Sequence, residues 1–274
     1  MGGKQQQIGN DEESIVAGMR CDIQEILNEK IKQNKQMKLD ILAFGAHPDD
    51  VELGCAGTIL KEISLGKTVG IVDLTRGELG TRGSAEIRNQ EANAAANILG
   101  VSVRENLDMR DGFFVNDEKH QLEIIKMIRK YQPEIVLCNA IDDRHIDHGK
   151  GSKLVSDACF LSGLMKIETT LDGTQQTAWR PKLVYHYIQW KNIEPDFVVN
   201  IDGFIAKKTE AILAYRSQFY DANSKEPESP ITSKNFLESL NYRSRDLGRL
   251  AGLEHAEGFT VERYLAVNSL GDLM

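Results

Sequence analysis

The stretch KLDILAFGAHPDD, residues 38–50, decides how this chain is read. Residues 39–46 form a short, almost continuous apolar run, the pattern of a strand buried on both faces. The run stops on His47, Pro48, Asp49 and Asp50, residue types that favour a turn at a strand end. Working outward, further β-rich runs lie at 68–75, 104–109, 134–140, 183–189 and 197–201. Helical patterns fall between and after them at 55–65, 85–99, 122–131, 149–164, 205–219 and 236–250. Gly66, Gly100 and Pro133 close the first three helices. Between the last two, residues 224–233 hold Pro227 and Pro230 and read as a mobile loop. Strand–helix repeats of this length predict an α/β fold. It is Rossmann-like and doubly wound, a mainly parallel sheet with helices on both faces and a C-terminal α/β extension. In such a fold ligands gather beyond the carboxyl ends of the strands.

The chain has 274 residues, and its 33 basic against 41 acidic residues give a net charge of -8. That sign argues against a nucleic-acid or anionic-membrane partner, either of which calls for a basic face. No apolar run approaches the roughly 18 residues that cross a bilayer. The four cysteines, Cys21, Cys55, Cys138 and Cys159, form no CxxC pair and fit a reduced, cytoplasmic protein. Residues 1–36 are polar and rich in turn formers, so they read as a leader (an extension, a tag or a misassigned start), with the functional domain at 37–274.

Two strand ends carry the chemistry. The first supplies His47, Asp49 and Asp50; neighbours in a turning segment point apart, so one acid can bind a metal while the other faces substrate. Taken alone this is also an ordinary solvated turn. The second, IDDRHIDHG at 141–149, supplies His145 and His148 three residues apart. Catalytic zinc sites combine three nitrogen or oxygen donors with an open fourth position. His47, Asp50 and His148 make such a set, and half of the six histidines fall on these two strand ends.

AHPDDVELGCAGT at 46–58, DLTRGELGTRG at 73–83 and DRHIDH at 143–148 resemble the LmbE-like or PIG-L family of zinc-dependent N-acetylglucosamine deacetylases. The likeness runs from about residue 38 to the end and looks nearest to the family's bacillithiol-biosynthesis branch. The resemblance implies hydrolysis of an N-acetyl group, there from N-acetylglucosaminyl malate. It implies one Zn2+ per chain on His47, Asp50 and His148, although that donor set also accepts another divalent ion such as Fe2+. It implies Asp49 as general base towards a metal-activated water and His145 as a group that polarises or protonates the reacting centre. Asp147 or Asp142 then orients the His145 ring.

On the substrate side, the family likeness sets Arg88 in the sugar site, where a surface pairing with Glu91 or Asn89 is the plainer alternative. Asp111 is expected to accept from sugar hydroxyls, or simply to form the turn before Gly112. Arg82 sits on a loop able to close over substrate. His255, in the family-like closing segment EHAEGF at 254–259, is expected to fold back towards the mouth. His186 reads as a packing residue and His120 as a surface residue; Trp179 and Trp190 alike read as core packing, with framing of the cleft or a subunit contact as the alternative. Relatives suggest a trimer or hexamer acting on a small sugar conjugate. The alternatives are deacetylation of another N-acetyl sugar such as a chito-oligosaccharide, a metal-dependent phosphoesterase, or a sugar-binding protein without turnover.

Overall fold

The computed structural model describes residues 37–272, so the expected leader lies outside the described residues. Seven strands make one sheet. They are β1 (Ile41–Gly45), β2 (Val69–Thr75), β3 (Val103–Met109), β4 (Ile135–Cys138), β7 (Leu183–Tyr187), β8 (Phe197–Asn200) and β9 (Ala256–Val261). Two further strands, β5 (Thr170–Leu171) and β6 (Thr174–Gln175), form a separate hairpin. The helices are α1 (Asp50–Ser64), α2 (Ala85–Leu99), α3 (Glu118–Tyr131), α4 (Ile146–Ser162), α5 (Ile205–Leu213) and α6 (Lys234–Leu250).

The sheet order is β3-β2-β1-β4-β7-β9-β8. β1, β2, β3, β4 and β7 are parallel, whereas β9 runs antiparallel between β7 and β8. Every residue of β1 and β2 is buried, as central strands covered on both faces must be. One apolar layer joins the sheet to α3 and α4; the other joins it to α1, α2 and α5. The chain leaves β1 towards β2 in one direction and later returns to β4 on the other side. This reversal opens a crevice beyond Gly45 and Cys138, where such folds bind ligands. The expected doubly wound α/β fold is therefore the observed one.

Three local expectations are corrected. The segment 254–259 does not fold over the mouth: residues 256–261 are an interior strand, β9, with Phe259 1% exposed. The helix expected at 55–65 starts at Asp50 and is broken at Cys55 (φ −145°). Below the break, Gly57 N–H and Thr58 N–H donate to the Glu257 carboxylate (2.9 and 2.7 Å), which caps the second half as a separate helix start. Gly54 lets the broken helix lie on the sheet, because a Cβ there would sit 2.2 Å from the Tyr187 ring. The helix expected at 205–219 ends at Leu213, and the residues that follow bring Tyr215 and Phe219 into a core with α2.

Candidate active site

His47 leaves the end of β1, and its N–H donates to Asp50 Oδ2 at 2.9 Å, closing the turn into α1. Between them Asp49 adopts φ 116°, a left-handed backbone unusual for a residue with a Cβ. The twist sends the two acids apart. Asp50 Oδ1 lies 3.1 Å from His148 Nε2 and accepts from Gln189 Nε2 at 2.9 Å. Asp50 Oδ2 accepts from Asn139 Nδ2 at 3.0 Å and lies 3.5 Å from His47 Nδ1. Asp49 instead accepts from Arg88 Nη2 at 2.7 Å.

The two histidines at Asp50 are held alike from behind. His47 Nε2 lies 3.0 Å from Asp111 Oδ1 and 3.5 Å from Asp147 Oδ2. His148 Nδ1 lies 2.6 Å from Asp143 Oδ2. A carboxylate behind each ring fixes its tautomer and aims the other nitrogen forward, the usual support of a metal ligand. Donors of a tetrahedral zinc site sit about 3.3 Å apart. Along His47–Asp50–His148 the two histidine nitrogens lie 3.5 and 3.1 Å from the Asp50 carboxylate, one at each oxygen, so each pair is close to that spacing. Two overlapping sets, His47–His145–His148 and His47–Asp111–Asp147, also bring their donor atoms within 4.8 Å of one another. The nitrogen and oxygen donors fit a divalent metal.

The electrostatics divide the groups. Burial works against the charge of Asp50, but His148 and His47 outweigh it and hold its carboxyl well below the usual range. Burial raises Asp49 to about 6, with Asp50 adding to the rise and Arg88 opposing it. Burial, His47 and His148 push His145 down to about 4, whereas Asp50 and Asp143 overcome burial and bring His148 up to about 9.

The other sequence-predicted residues separate into two groups. Arg88 is buried and lines the cavity, pairing with Asp49 rather than with Glu91 or Asn89. Its Nη1 donates to Gly77 O at 3.2 Å, and a Cβ on Gly77 would stand 2.1 Å from that nitrogen. Asp111 also lines the cavity, yet one oxygen faces His47 and the other accepts from Leu79 N–H at 3.0 Å. Arg82 turns away, donating to Pro227 O (2.6 Å) and Glu226 O (3.2 Å). His255 lies beside Asp202, which accepts from its backbone N–H at 2.6 Å, and is absent from the cavity wall. Neither acid expected behind His145 stands there: Asp142 pairs with Lys191 at the surface, and Asp147 faces His47 and Gly112 N–H. His145 Nδ1 accepts the Asp147 N–H at 3.3 Å, so the ring is set by the α4 N-terminus.

The cavity, about 390 Å3, has a polar floor of these strand-end groups. Its roof comes from the C-terminal third: Gln218, residues 229–231, the α6 residues Phe236, Leu240 and Arg243, and Trp190 after β7. Trp190 stacks on Phe236 with centroids 5.2 Å apart. Sequence reading left Asn139, Asp143 and Gln189 without roles. Their position at the ends of expected strands, or just past one for Asp143, was the available signal. Asn139 Oδ1 accepts Ala46 N–H at 2.8 Å, tying the β4 end to the β1 end.

A family model described as PIG-L, GlcNAc-PI de-N-acetylase, matches residues 42–159. The chain is 34% identical over 129 residues to the uncharacterized deacetylase YaiS of Escherichia coli, spanning 45% of this chain and 69% of that one. This chain belongs to the PIG-L family. It is also 28% identical to the diacetylchitobiose deacetylase of Thermococcus kodakarensis, over 65% of this chain and 70% of that one. The same 28%, over 65% of this chain and 81% of the relative, relates it to a probable N-acetyl-alpha-D-glucosaminyl L-malate deacetylase 2 of Bacillus anthracis. Among solved structures, the conserved protein TT1542 of Thermus thermophilus matches with a TM-score of 0.73 and 35% identity, covering 84% of this chain and 98% of that one. The PIG-L match embraces every floor residue up to His148 and stops before Trp190 and the rest of the roof. Among the described residues of this PIG-L member, no helix is long and apolar enough to cross a membrane.

Proposed function

We propose that the chain hydrolyses the N-acetyl group of an N-acetylglucosamine conjugate, with His47, Asp50 and His148 holding one divalent metal, Zn2+ first among the candidates. A metal held there polarises the acyl oxygen and makes water a nucleophile near neutral pH. The observation that carries the reading is the division between adjacent acids. Asp50 is committed to two histidines, Asn139 and Gln189, whereas Asp49 is raised to about 6 and its side chain is bound, among the described residues, only by Arg88. Two neighbouring carboxyls driven apart in this way mark a base beside a ligand. Asp49 takes the water proton and returns it to the departing nitrogen; neutral His145 donates a hydrogen bond to the developing oxyanion.

N-acetylglucosaminyl malate is the preferred substrate in this reading. Arg144 lies over the Trp190 ring at 4.7 Å, and Arg243 donates to Trp190 O at 2.6 Å while its buried Nε has no partner. Guanidinium groups so placed suit the carboxylates of an acidic aglycone. The stacked Trp190–Phe236 pair and the likeness to a diacetylchitobiose deacetylase favour a neutral second sugar as the other reading.

Acetate release from both substrates, with metal stripped and restored, tests the reading. Zn2+-restored turnover of the malate conjugate alone is the expected result; turnover of diacetylchitobiose alone selects the second reading. Release from neither, in protein with full metal, ends both. Asp49→Asn is expected to lower kcat about 10²–10⁴-fold while bound metal is retained. Unchanged kcat would remove Asp49 from the mechanism.

A further inference from the structure

Outside the cavity, the layer between the sheet and α4 is apolar, built from residues such as Val136, Leu154, Val155 and Ala158. His186 of β7 enters this layer and is 3% exposed. Its Nδ1 lies 2.8 Å from Ser152 Oγ, 3.2 Å from Asn139 O and 3.2 Å from Cys138 Sγ. Its Nε2 lies 2.9 Å from Glu262 Oε1. Both nitrogens are therefore engaged, and one ring touches α4, the end of β4 and the segment just after β9.

Two of these contacts, Ser152 and Asn139, lead to the floor of the cavity. Ser152 stands one helical turn beyond His148, on the same side of α4. The first turn of α4 and its N-cap carry His145, Asp147 and His148. Asn139, whose carbonyl faces His186, directs its own side chain to Asp50 and to Ala46 N–H. Apolar packing alone is non-directional and leaves a helix able to slide or roll against a sheet. Hydrogen bonds specify one register, and a misplacement of about 1 Å at a reacting centre can cost on the order of 10²-fold in rate.

We propose that His186 is a positioning residue: through Ser152 and Asn139 it fixes α4 against β4, and so sets His148 against Asp50. Glu262 fixes the ring from behind. The inference rests on the His47–Asp50–His148 donor set proposed above, and the experiment separates the two.

Co2+ is titrated into stripped wild-type protein and the His186→Leu, His186→Gln, Ser152→Ala and His148→Ala variants. The visible spectrum, melting temperature and amide exchange of α4 are recorded, together with kcat and KM for acetate release. His148→Ala, expected to lose Co2+ binding, tests the donor set alone. His186→Leu is expected to bind Co2+ about tenfold more weakly with an altered spectrum, to lose kcat about tenfold, and to keep KM. Amides in the first turn of α4 exchange faster, while those of α3 do not change. His186→Gln restores most of the loss, and Ser152→Ala reproduces part of it should His186→Leu fail to fold. Wild-type α4 exchange and Co2+ spectrum in His186→Leu, or in Ser152→Ala where His186→Leu does not fold, would overturn the inference. Co2+ binding unaffected by His148→Ala would overturn the donor set instead, and α4 exchange would still decide the role of His186.

Discussion

The floor and the roof of the cavity are built on opposite principles. On the floor, His47, Asp49, Asp50 and His148 are buried and each carries a named protein partner at short range. On the roof, Trp190, Phe236, Leu240 and Ile231 offer apolar surface, and among the described residues the buried Nε of Arg243 has no partner, as is also true of Arg88 Nε beside the floor. The paired carboxylates and histidines of the floor are held in one geometry before substrate arrives, which is what electrostatic catalysis demands. A roof with unspent capacity leaves recognition to the ligand. Under the proposed function, the contrast puts the reaction on the floor and the choice of substrate on the roof.

The sharpest way to break this contrast is to remove a floor donor. His148→Ala is expected to reduce acetate release to background and to abolish stoichiometric metal, measured by elemental analysis of the purified protein. Full metal content with full activity would show that the floor is not the reacting centre.

Next in size is Arg88→Met, which probes the floor through its electrostatics. In the proposed mechanism Asp49 accepts a proton only above its own pKa, so activity is expected to be lost as pH falls through about 6. Arg88 opposes the rise caused by burial. Without the guanidinium, the buried carboxyl has no cation and takes up its proton more readily. The acid limb of kcat/KM is therefore expected to move to higher pH, with KM at the plateau little changed. A limb that stays in place would make Arg88 a substrate contact, as the sequence first suggested.

The same contrast explains what was legible in the sequence. The floor is written in short contiguous motifs, because a strand end delivers several neighbouring side chains to one point: AHPDD and DRHIDH carry six of its residues. The roof is assembled from residues 190, 218, 229–231 and 236–243, which no local pattern connects. β9 escaped for a related reason. Glu257 is its second residue, and a charged residue rarely lies in a buried strand. Only the fold reveals that Lys208 Nζ lies 2.7 Å away, making the charge tolerable. The partners on which the structure places Arg82, His255 and Asp142 were hidden similarly: they are 145, 53 and 49 positions away.

On the roof, Arg243→Met is expected to raise KM for N-acetylglucosaminyl malate by roughly 10- to 100-fold, the worth of a lost charge-assisted hydrogen bond. The kcat value and turnover of a neutral N-acetyl sugar should be preserved. Equal losses on acidic and neutral substrates would mean that Arg243 supports the roof without reading charge.

The smallest effect is expected at Arg82, which does not line the cavity and meets its roof only through its backbone. Its guanidinium clasps the carbonyls of Glu226 and Pro227, while its own carbonyl accepts from the roof residue Gln218 at 3.0 Å. The loop expected to be mobile is thus tied at its centre to the segment after β2. Arg82→Ala removes the tie but leaves every floor contact and Trp190–Phe236 stacking intact. Proteolysis within residues 224–233 should accelerate, and KM should rise by roughly two- to threefold, as for a locally less ordered loop. The kcat value should stay the same, because Asp49, Asp50 and the two histidines do not depend on that clasp. A fall in kcat instead would mean that the roof helps to place the reacting groups, and the division between chemistry below and recognition above would have to be redrawn.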